Sequence, residues 1–333
     1  MPKESLGVWS GPDAVKDFLE LKNHPSIPMI ELPGELIPSS FSGLGVRIFA
    51  KRMDMSPLGN IKSIAVLYML EDAANSGKLL GVKTLVESSS GNTGFSLAIY
   101  AKHVYGIENV TVIVPSDIAP GKEQMLTLAG ADVLKFRKGK ESGIQMARRM
   151  GEQDGWLCLG QYENEANVKA HREFTGREIW EQLGDKLTIF SAGMGTGGTA
   201  VGCHQMLKSQ NESIVTVGVM CPADDDAVPG VRTRERLLET RFGWEALDVK
   251  TEVGSKAAYL ASTKLCRNGL FVGPSSGFAY EGLVNALNFY YVSGELDKIR
   301  NFEREVVGVF ICPDLPLPYI EKYSTHLSPA DGF

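Results

Sequence analysis

Lys62 stands in the stretch "SPLGNIKSIAVLYML" as the only cation between Arg52 and Lys78, where the apolar spacing predicts a helix over residues 60–76. A helix N-terminus carries partial positive charge and opposes a protonated amine there by about 0.3–1 kcal/mol. Bringing a lysine amine from a pKa of ~10.4 to neutrality at ~pH 7 requires about 4.6 kcal/mol, at ~1.36 kcal/mol per unit. The helix end supplies part of that, and burial can supply up to about 3–5 units more. Such a lysine is suited to attack a carbonyl and form an imine. The bland alternative is a surface lysine reaching over the helix end.

Three loops rich in small residues offer partners for that chemistry. In "ESSSGNTGFSLA" (residues 87–98) a buried-strand pattern ends in Ser88, Ser89, Ser90, Gly91, Asn92 and Thr93, and an apolar helix follows at once. An ordinary N-cap accounts for one or two of these residues; the whole run places N–H groups and hydroxyls where an anion would sit. "FSAGMGTGGTAVG" (residues 190–202) again takes a strand through glycines into a helix, a geometry suited to phosphate. It also matches G-x-G-x-x-G at Gly193, Gly195 and Gly198, the dinucleotide fingerprint. That fingerprint wants an acid at the end of the next strand, whereas "IVTVGVM" runs into Cys221 and Pro222, with Asp224 beyond. Last, "LFVGPSSGFAYEG" (residues 270–282) brings Ser275 and Ser276 just ahead of a helix expected from Phe278; alone, such a pair is a cap or a turn. Together the four features meet the needs of an aldehyde cofactor with a phosphate and a ring nitrogen.

On these motifs the sequence resembles the pyridoxal-phosphate β-family, the fold type II enzymes that include cysteine synthase and cystathionine β-synthase. "IPMIEL", "SPLGNIK", "SSGNTG", "GTGGT" and "GPSSG" follow the order and spacing of that family's signature segments over roughly residues 28–323. The resemblance implies two doubly wound parallel-sheet α/β domains of the tryptophan synthase β-like architecture. It divides the chain into a smaller domain over residues 55–164 and a larger one made of 1–54 with 165–333. It makes Lys62 the Schiff-base lysine and places Asn92 beside the ring hydroxyl. Gly195, Thr196, Gly197, Gly198 and Thr199 take the phosphate, and Ser275 contacts the pyridine nitrogen. Ser89, Ser90, Gly91, Asn92 and Thr93 grip the substrate carboxylate, with Gln161 assisting. The implied cofactor is pyridoxal 5'-phosphate, and a homodimer is expected from the family alone.

The implied reaction is β-elimination or β-replacement on an activated serine through an aminoacrylate, as in cysteine synthase, with serine/threonine dehydration as the alternative. A serine at the pyridine nitrogen, where other such enzymes keep an acid, favours that route. A third alternative is a catalytically degenerate relative retained for binding or regulation, since the family commonly has a polar, arginine-containing pair after the lysine and here Ser63 and Ile64 follow. Arg232, Arg234 and Arg236 fall in a stretch longer than the family's, read either as a solvated charged face or as contacts for an acidic second substrate.

The elements that must position these residues are legible as well. Seven β-branched runs, "GVRIFAK", "KTLVE", "NVTVIVP", "DVLKF", "LTIFSAG", "IVTVGVM" and "EVVGVFI", mostly lack period-2 alternation and read as strands of parallel sheets buried on both faces. Helical stretches lie between them, and parallel sheets place ligands at the carboxyl ends of their strands. The Pro-rich "NHPSIPMIELPGELIPSSFSG" ahead of the first strand reads as an ordered loop without regular structure.

Composition narrows the partners. With 333 residues, 43% hydrophobic and 22% charged, and a net charge of −6, the chain has the makeup of a soluble globular protein without the basic excess of a nucleic-acid binder. No window approaches an apolar membrane span and no signal-peptide core is present, which points to the cytoplasm. Five scattered cysteines and five histidines show no metal-ligand spacing, so no metal is expected. The expected partner is a small amino-acid substrate.

Overall fold

All seven expected strands form within two residues of their predicted limits in the computed structural model, which describes residues 7–333 other than 90, 138, 140, 226 and 227. In chain order the strands are β1 (Met29–Glu31), β2 (Val46–Lys51), β3 (Thr84–Ser88), β4 (Asn109–Pro115), β5 (Asp132–Phe136), β6 (Trp156–Cys158), β7 (Ile189–Gly193), β8 (Val215–Met220), β9 (Val249–Glu252) and β10 (Val306–Ile311). The α-helices are α1 (Ala14–Leu19), α2 (Lys62–Asn75), α3 (Asn92–Tyr105), α4 (Pro120–Leu128), α5 (Gly143–Gly151), α6 (Glu165–Ala170), α7 (Arg177–Leu183), α8 (Gly198–Gln210), α9 (Arg234–Leu237), α10 (Ser255–Arg267), α11 (Pro274–Val292) and α12 (Ile320–His326). Between β6 and β7, α6 and α7 are joined by a π-helical segment, His171–Gly176.

Three short strands escaped the sequence reading, and all three are edge strands. β1, β6 and β9 are three or four residues long and lie at the ends of their sheets, too short for a periodicity to show. β1 lies in the Pro-rich stretch expected to lack regular structure, which also contains 3-10 turns at Gly34–Leu36 and Ser39–Phe41. It pairs antiparallel with β2, while every other pairing between named strands is parallel.

The chain divides into two compact units. Residues 56–166 and the N-terminal stretch up to Ser26 form one, around the sheet ordered β5-β4-β3-β6. Its N-terminal stretch is held there by Leu19, buried in the same apolar cluster as Tyr100, whose hydroxyl donates to the Leu19 carbonyl (3.2 Å). Residues 27–55 and 167–333 form the second, around the sheet ordered β1-β2-β10-β7-β8-β9. Valine and isoleucine side chains from its strands pack against Phe278, Leu283 and Leu287 of α11.

Each sheet has a place where the strand order reverses. In the first, the chain runs from β3 outward to β4 and β5, then returns to β6 on the other side of β3. In the second, it runs from β7 to β8 and β9, then returns to β10 beside β7. The loops at such points diverge and open a crevice at the carboxyl ends of the strands. Two of the three singled-out loops, those after β3 and β7, leave from these points, and no helix among the described residues is long and apolar enough to cross a membrane.

A buried ion pair fastens the larger unit. Lys51, at the end of β2 and wholly buried, spends its three ammonium donors on Glu178 Oε2 (2.7 Å), Gln182 Oε1 (2.9 Å) and the Ile27 carbonyl (2.8 Å). The Glu178 carboxylate also accepts from the Ile27 amide (3.2 and 3.3 Å), so α7 holds the chain just before β1. Burial pushes the Lys51 pKa down from its ordinary value, against the pull of Glu178. Replacing Glu178 with alanine leaves this ammonium buried without its counter-ion and is expected to cost about 3–5 kcal/mol of unfolding free energy. A Lys51→Met/Glu178→Leu double variant should lose much less, a contrast that urea unfolding measures.

Candidate active site

Lys62 is the first residue of α2, which begins two residues later than the apolar spacing indicated, and the first turn contains no acid. The turn before it is rigidly made. Asn60 Oδ1 accepts from the Ser63 amide (3.2 Å) and from Ser96 Oγ of α3 (3.2 Å), while Asn60 Nδ2 donates to the Leu58 carbonyl (2.9 Å). Both Ser63 Oγ (2.7 Å) and Ser56 Oγ (3.1 Å) donate to the Asn60 carbonyl. Ser63 and Ile64 are fully buried, so the pair that departs from the family pattern is packed into the interior of this turn. Asn60 was not singled out from sequence, although an Asn at a predicted helix start is a recognisable capping signal.

The loop after β3 opens α3 at Asn92, behind Gly91 as its N-cap. Ser89 Oγ accepts from the amides of Gly91 (3.3 Å) and Gly94 (3.1 Å), so this serine does serve as a local cap. Thr93, nearly buried, donates its hydroxyl to Gln161 Oε1 (2.8 Å), and Gln161 Nε2 donates to the Ser88 carbonyl (2.8 Å). The structure thus brings Gln161, far along the chain, onto the loop where Ser89, Gly91, Asn92 and Thr93 lie. Ser90 lies outside the described residues. Glu87, buried at the foot of this loop, was not singled out from sequence because an acid at a strand end carries no motif of its own.

In the other unit, residues 195–199 lead into α8, whose N-cap Gly197 has φ +93° and offers no side-chain cap. The glycines here serve different ends. A Cβ on Gly195 would lie 2.1 Å from the Gly230 carbonyl oxygen, and one on Gly198 would lie 2.2 Å from Asn167 Oδ1. One on Gly202 would lie 2.4 Å from the Val168 carbonyl oxygen. Gly198 and Gly202, four apart on one face, therefore let α8 lie directly against α6 and the π-helical segment, a requirement of packing and not of ligand approach. That contact delivers two polar residues the sequence reading missed. Asn167 Nδ2 donates to Thr196 Oγ1 (3.0 Å), and His171 Nε2 pairs with Thr199 Oγ1 (3.2 Å), while His171 Nδ1 pairs with Thr175 (3.0 Å). The spacing N-x-x-x-H puts both on one helical face and is the signal that would have found them.

This donor set fits a phosphate ester. Thr196 Oγ1 accepts from Asn167 and from the Gly198 amide (3.2 Å), which leaves its own proton to donate. The first turn of α8 contains no acid, and the positive end of the helix dipole favours a dianion.

Ser275 sits inside a helix and not in a loop, because α11 begins at Pro274, four residues earlier than expected. Pro at the first helical position, where no amide donor is needed, explains the earlier start. Ser275 Oγ donates to Asp314 Oδ1 (3.1 Å), and Tyr319 OH donates to Asp314 Oδ2. The serine is therefore backed by a buried carboxylate one hydrogen bond away, whereas the sequence reading had a serine in place of an acid. Ser276, beside it, is fully buried with no oxygen or nitrogen partner, only the Cys312 thiol nearby.

Arg232 does not lie on a solvated face. Its amide donates to the Met194 carbonyl (2.9 Å) and its guanidinium to the Arg236 carbonyl and Glu239 (both 3.0 Å). Arg234 stands over the Trp244 ring at 6.0 Å. Burial pushes the thiols of Cys158, Cys203, Cys266 and Cys312 up, which suits small core residues better than reactive ones.

Comparison with known proteins identifies the family. A family model for pyridoxal-phosphate dependent enzymes matches residues 27–295. The chain is 29% identical to cysteine synthase B of Pseudomonas aeruginosa over 294 residues, covering 87% of this chain and 91% of that one. It is 31% identical to the O-acetylserine dependent cystathionine beta-synthase of Bacillus subtilis, covering 92% and 97%. Among solved structures, the O-acetylserine dependent cystathionine beta-synthase of Helicobacter pylori superposes with a TM-score of 0.76 at 24% identity, over 92% of this chain and 96% of that one. A hydrogen sulfide-producing enzyme of Fusobacterium nucleatum gives 0.77 at 20% identity, over 94% and 99%. These last two likenesses establish the fold, which is fold type II. The chain belongs to the family of pyridoxal-phosphate dependent enzymes, and its cofactor is pyridoxal 5'-phosphate.

Proposed function

We propose that this chain catalyses β-replacement on an activated serine of the O-acetylserine kind, in the manner of a cysteine synthase. The observation that carries the reading is Lys62 at the head of α2, tied through Asn60 and Ser96 to the helix that the small polar loop opens. The matched family span includes that lysine and the three loops rich in small residues. The names of the two sequence relatives, both enzymes that build a sulfur amino acid, support the substrate class.

In this reading Lys62 would hold the cofactor, Asn92 would lie beside its ring hydroxyl, and Gly195, Thr196, Gly197, Gly198 and Thr199 would hold its phosphate. Ser275 would face the ring nitrogen, its proton already donated to Asp314. When bound, pyridoxal phosphate supplies an electron sink for the charge left at Cα, which lets the β-substituent depart. Lys62 takes the α-proton on Nζ, and its helix-end position disfavours the ammonium form and so favours the base. Ser89, Ser90, Gly91, Asn92 and Thr93 bind the substrate carboxylate through amides and hydroxyls, with Gln161 fixing the Thr93 hydroxyl. A sulfide or thiol nucleophile then takes the place of the leaving group. The reading also includes a cytoplasmic homodimer by analogy with the family, which light scattering of the purified protein and cell fractionation test.

Borohydride reduction of the purified holoenzyme should fix the cofactor covalently to the peptide that contains Lys62. Lys62→Ala should abolish that capture and lower cysteine formation from O-acetylserine and sulfide by about 10²–10⁴-fold. Covalent capture that survives Lys62→Ala would remove the lysine from this role. Keto acid and ammonia released without sulfide, at the rate of the full reaction, would favour simple elimination.

Gly195→Ala tests the phosphate loop separately. Its Cβ would lie 2.1 Å from the Gly230 oxygen, so the backbone must move. Weaker cofactor retention in equilibrium dialysis, with helix content unchanged by circular dichroism, is the expected outcome, and wild-type retention would count against the assignment.

A further inference from the structure

Resting on the reading of residues 89–93 as the binder of the substrate carboxylate, we propose that Glu87 is a positioning residue whose charged carboxylate clamps the loop after β6, so that Gln161 holds the carboxylate-binding loop in register.

The geometry begins where two parallel strands part. β3 and β6 are neighbours with Val86 opposite Cys158, and past this pair the ladder stops. Three amides beyond it, those of Ser88, Gly160 and Gln161, have no strand to pair with. Glu87 takes all three. Its Oε1 accepts from the Ser88 amide (3.0 Å), and its Oε2 accepts from the amides of Gly160 (3.0 Å) and Gln161 (3.3 Å). Gly160 adopts φ +71°, a conformation that lets successive amides converge on one acceptor.

The same residue that Glu87 holds by its backbone then reaches the binding loop by its side chain. Gln161 Oε1 accepts from Thr93 in the first turn of α3, and its Nε2 donates to the Ser88 carbonyl (both 2.8 Å). Four hydrogen bonds thus join the loop after β6 to both ends of the loop after β3. Displacing Gln161 by the length of one of them would uncouple Thr93. Glu87 acts on the substrate only through these partners.

A neutral side chain could meet some of these amides, so a buried acid calls for a reason. The Glu87 carboxylate is 2% exposed. The titratable groups that face it are the Cys158 thiol on β6 and Glu163 in the loop after β6, the latter ion-paired with Arg148 of α5 (2.7 Å). From β4 its register neighbour is Val112, which is apolar. With no cation among these groups, burial outweighs the three amide bonds and pushes the Glu87 pKa from 4.5 up to about 7. The group therefore titrates in the range where such an enzyme works.

Its two forms serve different ends. As a carboxylate it is acceptor only and matches three donors. As an acid it turns one oxygen into a donor facing amides, and the clamp loosens. Stability runs the other way. A carboxyl whose pKa is raised on folding contributes stability that is full below about 4.5 and lost as pH rises through about 7. The charged form is thus held at a cost to the fold, the pattern of a residue kept for function.

The test uses the holoenzyme with O-acetylserine and sulfide, comparing wild type with Glu87→Gln from about pH 5 to about pH 8. In the wild type KM for O-acetylserine should fall severalfold as pH rises through the Glu87 ionisation. In Glu87→Gln, KM should be about tenfold higher at the alkaline end and lack that step, with the loss on KM and not on kcat. The melting temperature supplies a readout independent of turnover, since the wild type should lose stability relative to Glu87→Gln as pH rises through the same range. Gly160→Ala disturbs the same two amides from the other side and should raise KM in the same way, even if Glu87→Gln folds poorly. A Glu87→Gln enzyme with wild-type KM and pH profile, or with its whole loss in kcat, overturns the inference and leaves the proposed reaction standing. A wild-type protein that retains no cofactor and does not respond to O-acetylserine overturns both.

Discussion

Where two parallel strands part, the amides and carbonyls beyond their ends lose the partners that the ladder supplied, and both candidate loops are built at such a point. In the smaller sheet the strands are β3 and β6; in the larger they are β7 and β10. Buried amides without partners are costly, so each point must be closed by a side chain, by a helix start or by a ligand. The smaller unit closes its point with Glu87, Ser89 and the N-terminus of α3. The larger puts Gly197, which has no side chain to cap with, before α8 and surrounds the helix head with threonine hydroxyls oriented by Asn167 and His171. One point is satisfied internally, and the other presents donors that an anionic ligand can complete.

Helix packing decides how those donors are aimed. The sequence reading took the glycines of "FSAGMGTGGTAVG" as room for a ligand, and at Gly197, with its positive φ, the backbone does turn as only glycine readily does. Gly198 and Gly202 instead admit the backbone and side chains of α6 and the π-helical segment. π-Helical segments often fall at functional sites because the extra residue rotates side chains relative to a regular helix. Here the segment begins at His171, which pairs with Thr199. A glycine-rich motif can thus record a helix contact as faithfully as a ligand contact, and the local sequence alone does not separate the two.

What was legible follows the range over which a physical signal acts. Seven longer strands declared themselves by runs rich in apolar and β-branched residues, and the helix at Lys62 by its apolar spacing, since both signals lie within a few residues. Edge strands β1, β6 and β9 had no such run. Asp314 and Glu87 were missed for another reason, because their partners come from other elements. Asp314 is met by Ser275, 39 residues away, and Glu87 by Gly160 and Gln161, 73 and 74 residues away. Ser63 and Ile64 looked like the loss of a polar pair, yet both are wholly buried, and Ser63 closes the turn through the Asn60 carbonyl. A long arginine at either buried position would have to displace its neighbours, so the pair is accounted for by packing.

Three buried acids show how this fold separates structural charge from chemical charge. Glu178 meets Lys51, and Asp54 meets Arg52 in a two-pronged pair at 2.9 and 2.7 Å, next to the Cys312 carbonyl that accepts from the Asp54 amide. In both, a cation repays part of the desolvation. Glu87 has amides in place of a cation. Amides stabilise a carboxylate through dipoles that fall short of a full charge, so burial prevails and the proton becomes exchangeable near pH 7. The paired acids stand where the chain must be fastened, at the base of β1 and the end of β2. The one without a cation stands beneath the loop proposed to bind the substrate carboxylate, where a fixed cation would compete for that substrate and a set of amides does not.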